Sequence, residues 1–255
     1  MTQAAARLLV GGLLTLSALA ALPKTATAAG LGGVAAGGAV PTGAPLGSGA
    51  PRTCSPATLS VLLNYVEGGL SGRVSQLHTL TGAVAGAAAL SASDAATLST
   101  DLANELSGVT ALEQKVPTDT TCADAIADAH AMVFDYRVYV VMTPQVHLTI
   151  TADSETALGG RITGLEPQIT AAITAAGNAG KNVAAAKGAL ADLESQVGAA
   201  GHASSPIPSQ VLGFTPVSYP GCWPAFKADV GSLHTGRAAL RRADRDLHVI
   251  VAFLH

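Results

Sequence analysis

The sequence predicts an all-α fold, an elongated antiparallel helical bundle with coiled-coil-like seams. Three observations predict it. Leu and Val recur at alternating spacings of three and four, which lays an apolar stripe along a helix. Residues of the AVILMFWYC set make up 49% of the chain, while aromatic residues are only 4% and charged residues 12%. Much of that apolar share is Ala, a strong helix former of small volume that lets neighbouring helices approach closely. Finally, helix starts and stops are marked by Ser-Pro, Ser/Asp, Pro and Gly at the edges of the periodic stretches.

The chain opens on a different pattern. A basic residue, Arg7, precedes the apolar run Leu8–Leu22, and Ala26-Thr27-Ala28 supplies an A-x-A cleavage site. This reads as a secretory signal peptide over residues 1–28, the run being short for a membrane span. Residues 29–53 are Gly, Ala and Pro with almost no charge and no period, a flexible linker. Its Gly30-x-Gly32-x-x-Ala35 match to a dinucleotide fingerprint lacks the strand and helix that give that motif its chemistry. Residues 54–255 are then a helical bundle domain.

Within that domain, Ser55-Pro56 starts the first helix, with a hydroxyl cap and Pro at the first helical position. Leu63, Leu70, Leu77 and Val84 form one row, and Leu59, Val66, Arg73 and Leu80 its companion. Glycines among them weaken the helix but admit a close neighbour. Ser91–Asp94 caps a second helix with Leu98, Leu102, Leu106, Val109 and Leu112 on its seam, ended by Pro117. A third start lies at residues 118–121.

The stretch from Asp124 to Asp153 holds Phe134, Tyr136 and Tyr139 together with several Val, and is the expected centre of the core. It reads as a long central helix kinked at Pro144. The alternative is a β-hairpin at 136–151, where apolar and polar residues also alternate, but an isolated two-stranded hairpin is marginal in water. Leu158, Ile162, Leu165, Ile169 and Ile173 continue the helical pattern to a break at Gly177–Gly180. A shorter helix over 181–198 and a Pro/Ser-rich loop over 201–221 follow. The last helix, 224–254, carries Phe226, Leu233, Leu240, Leu247 and Leu254 at intervals of seven. The row reads as a seam of the chain's own bundle; self-association through the Leu233/Leu240/Leu247/Leu254 face is a possible partner mode.

Cys54, Cys122 and Cys222 are an odd number for an exported chain. If the first two helices form an antiparallel hairpin, Cys122 returns beside Cys54, so a Cys54–Cys122 disulfide is expected. Cys222 is a competitor, and no pairing at all is the remaining alternative.

No catalytic, cofactor or metal signature is found. Ala175 to Asn182 resembles a phosphate loop but lacks its first Gly and the Ser/Thr for magnesium. Asp124, Asp128 and Asp135 read as a solvated acidic face. His130 and His147 read as packing residues, and the seam residues Arg73 and Arg237 as snorkelling or paired with acids such as Glu105 and Asp244. Tyr136, Arg137, Tyr139 and His147 are the candidate ligand or partner contacts. A formal charge of -3 offers no basic face for nucleic acid, and membrane binding is not expected.

The segment DYRVYVVMTPQVHLTITAD, with Cys54-Ser55 before the first helix and Pro220-Gly221 before the last, resembles uncharacterised secreted, Ala-rich helical proteins of actinobacteria. The resemblance implies an exported helical protein and no activity. The expected function is therefore a non-enzymatic structural or interaction protein of the cell wall or extracellular space. A membrane-active or lipid-binding helical protein, and a metal- or small-ligand-binding protein, are the alternatives.

Overall fold

The computed structural model describes residues 54–255; the predicted signal peptide and linker lie outside them. The described chain is all-α. Its elements are α1 (Pro56–Gly86), α2 (Ala92–Lys115), a 3-10 turn (Val116–Thr118), α3 (Cys122–Phe134), a π turn (Val138–Met142), α4 (Thr143–Asn178), α5 (Ala184–Ser204), α6 (Ile207–Val211), a second 3-10 turn (Pro216–Ser218) and α7 (Trp223–Leu254). No strand occurs among the described residues, so the hairpin at 136–151 is not formed.

These residues divide into two compact units. The N-terminal unit holds residues 54–147 and Leu212–Trp223; the C-terminal unit holds Leu148–Val211 and Pro224–His255.

In the N-terminal unit, the Ser55 hydroxyl accepts the Thr58 N–H at 3.1 Å and so caps α1. The Ser91 hydroxyl caps α2 in the same way through Asp94 N–H. Each satisfies one of the amides a helix start leaves without a partner. The expected seams form: Val66, Leu70, Leu77 and Leu80 of α1 and Leu98, Leu102 and Val109 of α2 are all at most 1% exposed. Cys54 and Cys122 lie at disulfide-bonding distance, Cα atoms 5.7 Å apart, joining the start of α1 to the start of α3. Cys222 is a buried free thiol.

The central stretch departs from expectation in two ways. It is two helices rather than one helix kinked at Pro144. α3 ends at Phe134, residues 135–137 are irregular, and α4 begins at Thr143, which puts Pro144 in its first turn. The helical run is continuous from Val138, and in a regular helix a proline lacks the N–H to donate and its ring clashes with the carbonyl four residues back. Instead the preceding turn is widened: Thr143 N–H reaches back to the Val138 carbonyl, and the Thr143 hydroxyl donates to the same oxygen at 3.0 Å. The second departure concerns the aromatics, which do not form the core centre. Phe134 and Tyr139 are more than two-fifths exposed, while Val138, Val141 and Val146 beside them are fully buried.

The C-terminal unit is built on Ile162, Ile169 and Ile173 of α4, Leu190, Leu193 and Val197 of α5, and Leu240, Leu247 and Ile250 of α7. Leu233 is also buried and Leu254 partly so. Leu240 and Leu247 of the Leu233/Leu240/Leu247/Leu254 face are spent inside the core of their own unit and Leu233 is buried too, so the face is not free for self-association. α5 extends to Ser204, and α6 occupies part of the expected loop; Ile207 and Val211 of α6 are buried.

Candidate functional site

One half-buried and one buried polar grouping and one exposed apolar face stand out against an otherwise aliphatic bundle. The first grouping lies in the N-terminal unit. Arg73, on the polar edge of the α1 seam, donates from Nη1 to the Gly69 carbonyl at 2.9 Å and from Nε to the Tyr136 carbonyl at 3.4 Å. Its guanidinium carbon lies 5.4 Å from the centre of the Tyr139 ring. Tyr136 in turn seats its ring on α2 at Gly108. A Cβ there would lie 2.5 Å from the ring, so only glycine fits. One turn before Gly108 stands Glu105, whose Oε1 is shielded from water and has no hydrogen-bond partner. Burial raises its carboxyl to about 7, and the charge of Arg73 pulls only part of that back. Burial likewise lowers Arg73 and raises Tyr136, the latter with smaller contributions from Glu105 and Asp135.

The second grouping lies in the C-terminal unit. Glu155 of α4 is 1% exposed. Ser204 Oγ donates to its Oε2 at 2.6 Å, and Arg237 Nε of α7 stands 3.5 Å from its Oε1. Gly236 leaves the room: a Cβ there would sit 2.6 Å from Glu155 Oε2 and 2.8 Å from Ser204 Oγ. The carboxyl is raised by burial, with the Ser204 and Arg237 contacts opposing. This is a clamp across α4, α5 and α7, sealed from substrate-sized molecules.

The exposed face is on α3. Ala125, Asp128 and Met132 point inward, yet the outward positions 123, 126, 127, 130, 133 and 134 are Ala, Ile, Ala, His, Val and Phe. Ile126 is 56% exposed, and the His130 ring stacks on Phe134 with centroids 4.3 Å apart. Exposed Asp124 and Asp135 stand at the two ends of this stripe. Among the described residues, large exposed apolar side chains gather in this unit: Val61, Tyr65, Ile126, Val133, Phe134, Tyr139 and Val217 belong to it, and only Val249 to the other.

The four residues singled out from sequence do not form one site. The Tyr139 ring lies against Arg73, while Tyr136 gives Arg73 only its carbonyl and lays its ring on Gly108. Arg137 turns elsewhere, donating to the carbonyls of Phe134 and Tyr219 and lying over both their rings. His147 lies on the exposed side of α4. The acidic face also resolves differently. Asp128 is buried, with both oxygens 2.6 Å from Lys115 Nζ, while Asp124 serves the cap of α3 through Thr121. Arg237 pairs with Glu155 rather than Asp244. Among the described residues no group of three or more His, Cys, Asp or Glu could hold a metal ion, and no helix is long and apolar enough to cross a membrane. Sequence reasoning missed Glu155, Ser204 and the α3 stripe. The stripe had a signal, since α3 has apolar residues at helical spacing on two faces rather than one.

No protein-family model matches the chain, and neither a curated protein nor a solved structure matches it.

Proposed function

We propose that the protein is an exported, non-enzymatic interaction protein, and that it binds through the outward face of α3. The observation that carries this is the continuous apolar row Ile126, Ala127, His130, Val133 and Phe134 on an exposed helix side. Such a side is normally polar on a surface helix, and exposed apolar patches mark interaction surfaces. The occupant it fits is a protein segment with an apolar stripe flanked by Lys or Arg, since Asp124 and Asp135 bracket the row. The same acids disfavour a second copy of α3, which in either direction would set Asp against Asp, and an anionic membrane. Export is supported by the leader pattern and by the Cys54–Cys122 pair, because disulfides persist in oxidising compartments. Glu155, 1% exposed, lacks the exposure that substrate chemistry needs.

The test uses the chain from residue 29 onward as bait on the producing cells' wall fraction. Wild type is compared with an Ile126→Glu/Val133→Glu variant and a Val249→Glu control. A captured protein that is lost with the α3 variant, kept by the control and released by salt supports the reading. Capture indifferent to the α3 changes, or binding to lipid vesicles instead, rejects it.

A further inference from the structure

We propose that Glu105, Arg73 and the irregular segment 135–142 form a proton-operated latch, closed when Glu105 is neutral and loosened when it ionises. The proposal does not depend on the identity of any partner.

The geometry has three parts. The segment joining α3 to α4 is irregular at 135–137 and then a single π turn, so its own helical bonding holds it less firmly than a regular helix. Val138, Val141 and Met142 anchor its far half in the core and Gln76 of α1 donates to Thr143 at its end, so what ties its exposed near half to α1 is the Arg73 side chain: the long Nε bond to the Tyr136 carbonyl and the guanidinium against the Tyr139 ring. What ties it to α2 is the Tyr136 ring on Gly108, one turn from Glu105. In this arrangement Arg73 spends its charge on two neutral carbonyls, while a carboxyl oxygen nearby has no donor at all.

That arrangement suits a neutral Glu105. A protonated carboxyl needs no counter-charge. An ionised one, with a hidden oxygen unpartnered, draws the nearest cation to it, because a buried charge without a partner is costly. The cation whose charge acts on Glu105 is Arg73. Of its two carbonyl bonds the one to Tyr136, at 3.4 Å, is the weaker, so it is the first surrendered. Turning the guanidinium toward Glu105 therefore releases Tyr136 and Tyr139. The other titratable groups around the latch are Tyr65 of α1, Asp101 of α2, and Asp135, Tyr136 and Tyr139 of the segment. Burial raises Glu105 and the charge of Arg73 opposes it, while Asp135 and Glu105 both act on Tyr136.

Amide hydrogen exchange of the chain from residue 29 onward, followed from pH 5.5 to 8.5 and corrected for the intrinsic rate, tests the latch. Exchange of residues 136–142 is expected to rise by roughly tenfold across pH 7 in the wild type, the factor carried by one pKa unit of the shift. Glu105→Gln should hold these amides at their low-pH protection throughout, while Arg73→Gln should expose them at every pH. Carboxyl NMR should place the Glu105 midpoint near neutrality, a readout that needs no variant to fold. A flat wild-type profile, a Glu105→Gln profile that still rises, or a Glu105 midpoint near that of an ordinary carboxylate overturns the proposal.

Discussion

Removing the Cys54–Cys122 link should unfold the chain far more easily. The bond closes a loop with a sequence separation of 68 residues that contains the whole α1–α2 hairpin. In the chain-entropy account a cross-link stabilises by restricting the unfolded chain, and a loop of this length corresponds to about 4 kcal/mol at 25 °C. For a described region of this size, that is a fall in melting temperature of roughly 10 °C. The perturbation is the double variant Cys54→Ser/Cys122→Ser, which leaves only the buried Cys222 and so avoids a new reactive thiol. The assay is guanidinium unfolding followed by circular dichroism, for wild type and variant, each with and without reductant. Reductant should bring the wild type to the variant's midpoint and leave the variant unmoved. A loss below about 1 kcal/mol, or a variant that still responds to reductant, would refute the assignment of this pair as a long-loop staple.

Three further outcomes follow from the packing. Gly236→Ala should destabilise by about 1–3 kcal/mol, because its methyl meets the Glu155 carboxyl and the Ser204 hydroxyl, while Gly231→Ala, with open space around it, should stabilise by up to ~1 kcal/mol; thermal melts of the pair check this. Leu240→Ala should cost about 3–5 kcal/mol without changing the sedimentation coefficient at matched folding, since this leucine fills its own unit's core. Glu105 and Glu155 both have folded values above those of the unfolded chain, so the folded state holds their protons longer and stability falls as pH rises from the ordinary carboxylate range toward 7; Glu105→Gln should flatten the part of that decline reaching neutrality, measured by urea midpoints at pH 4.5, 6 and 8.

The sequence by itself determined the helices, because their cause is local. Ser55-Pro56 and Ser91 cap where they stand, and Leu70, Leu77 and Leu98 turn inward by period alone. It also pointed to the cysteine pair, because an antiparallel α1–α2 hairpin returns Cys122 toward Cys54, but it left Cys222 as a competitor, and only the packing of the helices brought Cys54 and Cys122 to bonding distance. It did not determine which polar residues are buried, and the candidate site was scarcely legible in it. Arg73, Glu105, Glu155 and Asp128 look alike as charged residues near a seam, and their fates diverge only when other helices arrive. Lys115 then takes Asp128, Ser204 and Arg237 take Glu155, and nothing takes Glu105 Oε1. Nor did the sequence say that the large aromatics would lie outward. Their size argued for the core, but Gly108 offered Tyr136 a seat at the surface of α2 and the small valines filled the interior instead. Those outcomes depend on which helix lies against which, and that is a property of tertiary contact between residues tens of positions apart.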